Sequence, residues 1–459
     1  MKKNKSFQNI FWRWHFYAGV FIAPLLITLT ISGIGYLFYT NVENQVYDNL
    51  FFGVSDNSDD LTIDEAIENA ENQYNGYNVS KVIVLDDDYN TRFTMTDTEG
   101  NQKYVFIDDQ NQIVGSQNAA STYSNVMRGL HSSLFVGGTV VNYLVELAAC
   151  WAIFLLISGV YMSFKGKVFK KQKGIPNKRQ RHKKLHAITG TLIAIPMVIL
   201  IFTGLPWSAM MGNFISSAAQ SDPSIGYPEL KQVPPTSEIN EIPWATRKNE
   251  APTSSDSHAH HNDMASMSHD NDHMISVQQL IGKIDESHIS KPYSIVYPMS
   301  EEGVYTVSKG SNTGVTGLDV SPNEEVTNYF DQYSGNLISK VGYEDYGILG
   351  KWFTWGIPLH EGHLFGWPNK IINLLVCLAF LSVIIWGYKM WLDRKVKGKL
   401  SAPPKTPMGK SFGGFIILLV ILGIVMPLFG LSLVVIAFIE FIIYLWKRNK
   451  NNNINNPIR

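Results

Sequence analysis

Five apolar runs decide what this chain can fold into, because lipid tolerates only a few kinds of backbone. Four of them, about 16–39, 140–163, 187–211 and 371–392, reach the roughly 20 mainly apolar residues that a helix needs to cross hydrocarbon. A helix satisfies its own backbone hydrogen bonds, so such runs are stable in a bilayer. The fifth, 412–446, would measure about 52 Å as one helix, against a hydrocarbon core of about 30 Å. Pro427, Gly430 and Ser432 lie near its middle, and the run reads as a hairpin of two short helices, 412–428 and 430–446.

Charge orients these spans. Residues 164–186 hold ten Lys or Arg and no acid, and 389–411 hold seven basic residues and one acid. Short basic flanks stay cytoplasmic. Residues 40–127 carry sixteen acidic and three basic residues, which suits the outer side. Six spans with both termini cytoplasmic satisfy every flank, including Lys447, Arg448 and Lys450. The first run is too long for a cleaved leader and lacks a small-residue exit, so it is expected to remain as an anchor. A net charge of -1 gives no reason to expect nucleic acid as a partner. Cys150 and Cys377 each sit inside an apolar run, as packing residues rather than a redox or zinc pair.

Two soluble stretches separate the spans. Residues 61–75 read as a helix with Leu61, Ala66, Ile67 and Ala70 on one side, followed by short β-rich runs and turns. The order recurs after residue 275, with a helix at 275–286 and then strands. Each unit is small for an independent core, so packing against a neighbour is expected. The resulting layout is 1–40 as N-terminus and first span, 41–127 as first outer domain and 128–163 as second span. A basic loop at 164–186, a third span at 187–211 and a linker at 212–274 follow. The second outer domain occupies 275–356, the fourth span 357–392, a basic loop 393–411 and the hairpin 412–446.

The halves align. Residues 13–33 match 184–204 without a gap, placing His15 on His186, Gly19 on Gly190 and Gly33 on Gly204. RGLHSSLF at 128–135 faces IPLHEGHLF at 357–365, placing His131 on His360. Repeats in membrane proteins often build their site between halves. One histidine pair falls near the cytoplasmic ends of spans one and three, the other on the outer side before spans two and four. A six-coordinate haem b takes one imidazole on each face, and two such pairs would make an electron wire of two haems across the bilayer. Histidines at helix ends also cap carbonyls or sit among headgroups; four in two aligned pairs favour the haem. Arg13, Arg128 and Arg181 are candidate propionate partners. His182, one turn before His186, could replace it or bind a propionate. His363 shares a helical face with His360, and with Glu361 these two could instead hold a metal ion.

These motifs together, WRWHFYAGVFIAPLLITLTISG, GLHSSLF, KLHAITG, IPLHEGHLFG and LGIVMPLFGLSLVVI, resemble the PepSY-associated transmembrane helix family over about 7–446. That family includes inner-membrane proteins linked to iron uptake and ferric-siderophore reductases. The resemblance implies an all-α polytopic bundle with an internal repeat, plus two small α+β PepSY-like extracytoplasmic domains. It also implies a haem-binding four-helix core with His15, His131, His186 and His360 as the family-like histidines, and electron movement toward ferric iron outside. No nucleotide-binding motif is present, so the donor is expected to be a quinol, another protein or a diffusible reductant. The acceptor would be an extracytoplasmic ferric chelate, and lipid the surrounding partner.

One tract stands apart. Residues 258–274, HAHHNDMASMSHDNDHM, contain His258, His260, His261, His269, His273, Met264, Met267 and Met274. Imidazole and thioether suit copper or another divalent metal, which supports a rival reading as a metal-homeostasis protein. A polar spacer is the plainer reading of the tract. A third class is a non-enzymatic anchor or regulator that acts through its outer domains.

Overall fold

The computed structural model describes residues 2–57, 59–86, 88–166, 168–170, 177–222, 224–226, 274–298, 300, 303–310, 315–396, 401–403 and 412–455. In chain order the elements begin with α1 (Lys2–Tyr36), α2 (Tyr39–Val46), α3 (Asp48–Phe51) and α4 (Ile63–Gln73). Strands β1 (Tyr77–Val84), β2 (Thr91–Asp97), β3 (Gln102–Ile107) and β4 (Ile113–Asn118) follow. Next come α5 (Tyr123–Ser133), α6 (Thr139–Lys165), α7 (Lys178–Leu192), α8 (Ala194–Gly204), α9 (Ala209–Ser221) and α10 (Val277–Glu286). Strands β5 (Tyr293–Val296), β6 (Val304–Lys309), β7 (Val326–Asp331) and β8 (Leu337–Gly342) precede α11 (Ile348–Glu361) and α12 (Trp367–Leu392). The last helices are α13 (Phe412–Val425) and α14 (Pro427–Asn455). Contacts divide the chain into two units, residues 1–32, 130–214 and 373–459 in the first and 33–129 and 215–372 in the second.

The first unit is helical. Gln8–Tyr36, Thr139–Lys165, Trp367–Leu392 and Pro427–Trp446 are each long and apolar enough to cross a membrane. α7 and α8 pass the same test together but meet at 55°. Pro196 explains the break: its ring opposes the carbonyl four residues earlier, at Leu192, where α7 ends. Pro24 poses the same problem inside α1, yet α1 continues. There the carbonyl left without a helical donor is that of Val20, and the Tyr388 hydroxyl donates to it at 3.3 Å. A neighbouring helix thus replaces the lost bond, as membrane helices require.

α13 and α14 are separated by Met426. Residues seven apart on a straight helix are about 10 Å apart, but a Cβ built on Gly430 would lie 2.8 Å from the Gly423 carbonyl oxygen. The chain therefore turns sharply at Met426–Pro427, and only glycines permit the approach. Phe415, Leu419, Leu422 and Phe429 pack there with Phe11, Trp151, Phe154 and the fully buried Cys150. Glu146 is 1% exposed in an apolar span, and its carboxylate accepts the backbone N–H groups of Met210 and Met211 at 2.8 and 3.2 Å. It supplies the acceptors that the first turn of α9 would otherwise lack.

The second unit is built on one sheet. The two small α+β units read from the sequence share one sheet, whose strands run β4-β3-β2-β1-β5-β6-β7-β8. The two four-stranded halves join antiparallel through β1 and β5, with Lys81 opposite Val296 and Ile83 opposite Ser294. Each half alone would leave an unpaired apolar edge. α4 and α10 lie over one face, and Ile63, Ala66, Ala70, Leu280 and Ile284 share a core with Val82, Phe93, Ile295 and Val307. Asp64 on α4 accepts from the Val277 and Gln278 amides of α10 at 2.8 and 3.2 Å. Capping boxes, Thr62 with Glu65 and Ser276 with Gln279, start the two helices.

Candidate histidine site in the helical unit

His15 projects from α1 and His186 from α7. Their ring centroids lie 6.1 Å apart and their planes cross at 87°. The Nδ1 of His186 donates to the Val383 carbonyl at 2.9 Å. A carbonyl only accepts, so Nδ1 carries the proton and Nε2 keeps its lone pair. His15 reaches the same state by another route. The Ser158 hydroxyl donates to Leu155 O at 3.1 Å, so it accepts from His15 Nδ1 at 2.8 Å. Both rings are thus held in the tautomer that presents Nε2 to a metal, and the bond at Nδ1 fixes ring orientation.

Space beside each ring comes from glycines that sequence reasoning did not single out. A Cβ on Gly159 of α6 would stand 3.4 Å from His15 Cε1, and one on Gly387 of α12 would stand 3.5 Å from His186 Cε1. Gly19 and Gly190, the small residues one turn after each histidine, have their nearest potential contacts with Leu155 and Val383 at 3.9 and 3.8 Å. The signal for Gly159 and Gly387 was present as single glycines in otherwise bulky spans, but nothing local ties them to a histidine.

The spacing meets a chemical requirement. Metal–imidazole bonds of about 2 Å, with each ring centroid about 1 Å behind its nitrogen, put two trans imidazoles about 6 Å apart. The His15–His186 separation suits two axial ligands of one iron. Among the described residues no three His, Cys, Asp or Glu side chains gather as a metal centre; an axial pair needs only two.

His131 lies in the last turn of α5, also in the first unit. Its Nδ1 faces Leu29 O at 2.9 Å and Ser32 Oγ at 3.1 Å, and the Ser32 hydroxyl donates onward to Thr28 O and Leu29 O. The ring therefore repeats the Nδ1-protonated arrangement. His360 lies in the last turn of α11 in the second unit, half-buried. Gly362 follows in the left-handed conformation, φ 86°, and the Pro358 carbonyl accepts from the Gly362, His363 and Leu364 amides, which stops the helix beside His360.

The remaining candidates are placed as follows. His363 stands between two carboxylates, its Nδ1 3.8 Å from Glu361 and its Nε2 3.6 Å from Asp319. These approach opposite sides of the ring, so the three do not converge on one ion. Arg128 donates to Asn125 Oδ1. Arg13 donates to Tyr17 OH at 3.1 Å and to Pro403 O. His182 lies 3.8 Å from the Asp393 carboxylate. His258, His260, His261, His269, His273, Met264 and Met267 lie outside the described residues. Met274, the last residue of that tract, packs half-buried against the core beneath the sheet.

Apolar helices of spanning length and a soluble helix-and-sheet unit define a multi-pass membrane protein with extracytoplasmic loops. Residues 12–394 match the model of the PepSY-associated TM region, and the chain belongs to that family. The chain has no match among curated proteins.

Proposed function

We propose that the chain is a transmembrane electron-transfer protein that holds haem b, two per chain, and reduces ferric chelates or siderophore-bound iron on the extracytoplasmic side. The observation that carries this reading is the His15–His186 pair, 6.1 Å apart with both Nδ1 atoms committed to protein acceptors. Family membership is consistent with iron handling outside the cytoplasm. When bound, haem b would supply a one-electron carrier between donor and acceptor.

The chain's own residues do the rest. His15 and His186 would hold one group, and His131 and His360 are each candidate ligands for the second. Ser158, Val383 and Leu29 hold the proton of each neutral ring on Nδ1, so that Nε2 carries the lone pair a metal would take and the ring orientation is fixed. No side chain is needed for nucleophilic or acid–base work, since iron release follows from the weaker grip of most chelators on iron(II). The donor would be a quinol or a protein on the cytoplasmic side. The protein would sit in the bacterial inner membrane with both termini inside, the sheet unit outside, and 412–446 crossing as a hairpin.

A reduced-minus-oxidised visible spectrum of the purified full chain tests the proposal. Two b-type haems per chain are expected, and replacing His15 and His186 by Ala should remove one while sparing the other. A haem-free preparation from haem-replete cells sinks the reading. Haem that no ferric chelate reoxidises would sink the acceptor and leave the carrier.

A further inference from the structure

We propose that Arg394 is the cationic partner for the carboxylates of the haem held between His15 and His186; this rests on the haem reading above. The argument begins from charge. The first unit contains only three acidic residues, Glu146, Asp393 and Glu440. Glu146 is taken up by the Met210 and Met211 amides. α1 contains no acid between Lys2 and Tyr36, and α7 contains none. The basic residues at the corresponding ends include Arg13 on α1, Arg179 and Arg181 on α7 and Arg394 just beyond α12, with Asp393 as the nearest acid in sequence. Such an end has an excess of cations and attracts an anion from elsewhere.

Geometry then separates Arg394 from its neighbours. Its guanidinium sits 5.2 Å from the Trp12 ring centroid and 5.0 Å from that of Phe16. These rings bracket His15 on α1, three residues before it and one after. On α12, Arg394 lies seven residues beyond Gly387, against which His186 packs; on α7, His182 lies one turn before His186 and faces Asp393. Three chains of position therefore bring Arg394 to the cytoplasmic flank of the inner histidine pair. Among the described residues the buried Nε of Arg394 has no hydrogen-bond partner. Two Arg13 donors, by contrast, already go to Tyr17 and Pro403. A buried guanidinium donor without an acceptor is costly, and a planar carboxylate matches its fork. Haem b carries two such carboxylates, and between His15 and His186 it would bring them to a donor that has no acceptor among the described residues.

Redox titration of the full haem-loaded chain tests the assignment, with Arg394→Gln, Arg394→Lys and, as a control of equal charge change next door, Lys395→Gln. Lys395 lies over the Trp391 ring. In Arg394→Gln one of the two haem midpoints should move to more negative potential, because a nearby cation favours the reduced form. A tenfold change in that reduction equilibrium corresponds to about 59 mV. Arg394→Lys should recover most of the shift, and Lys395→Gln should leave both midpoints in place. Selective loss of one haem in Arg394→Gln with retention in Arg394→Lys also supports the assignment. Unchanged midpoints at full haem content overturn it, as does loss of both haems in both Arg394 variants. A wild-type chain without haem overturns the underlying function instead.

Discussion

Glu325 shows how strongly one buried side chain ties this protein to pH. It is 6% exposed, accepts from the Tyr346 hydroxyl at 3.2 Å and bonds Thr354. Burial pushes its carboxyl up from 4.5 to about 8. An acid whose pKa is raised on folding binds its proton more tightly in the native state, so stability falls as pH rises from about 4.5 toward 8. Glu325→Gln keeps an acceptor for Tyr346 and a donor for Thr354 without the charge. The variant should exceed wild type in thermal stability above about pH 8, by on the order of 1–3 kcal/mol, and the gap should close near pH 5. Parallel melting curves at pH 5 and pH 9 that show a constant difference would contradict this. The histidines illustrate the same dependence on surroundings: the position of the ring proton is set by Ser158, Val383 and Leu29, none of them recognisable as a partner from its own sequence neighbourhood.

At the level of elements, proline positions explain which helices break. Pro24 and Pro196 both sit inside apolar runs, yet α1 continues and the third span bends by 55°. The difference is the Tyr388 hydroxyl, which satisfies the Val20 carbonyl. The α13–α14 turn depends instead on two glycines. Gly430→Leu would drive a Cβ to 2.8 Å from the Gly423 oxygen, a backbone atom that cannot swing aside. A loss of about 1–3 kcal/mol is expected from such overpacking, read as a lower melting temperature of the detergent-solubilised chain. An unchanged melting temperature would mean the two helices need no close contact at Gly423.

For the whole molecule, the joining of eight strands into one sheet sets where stability should concentrate. β1 and β5 lie at the centre and β4 and β8 at the edges. Strands paired on both sides open only with the whole unit, whereas edge strands open locally. Amide hydrogen exchange should therefore find the slowest amides in β1, β2, β5 and β6 and the fastest in β4 and β8. Two separate protection maxima, with β1 and β5 as fast as edges, would show that the halves behave as independent domains.

Apolar length, proline and glycine placement and flanking charge determined the membrane character, most span positions, the helices at 61–75 and 275–286 and the family. These are local properties, written in consecutive residues, and hydrocarbon imposes them with little regard to neighbours. Tertiary structure alone decided the rest. β1 and β5 pair although about 200 residues separate them in the chain, and Tyr388 rescues Val20 across helices. Ser158 and Val383 select the tautomers of His15 and His186. Arg394 comes to lie beside Trp12 and Phe16. Such pairings depend on which surfaces meet after the helices pack, and alternation or periodicity within one element carries no record of its partner.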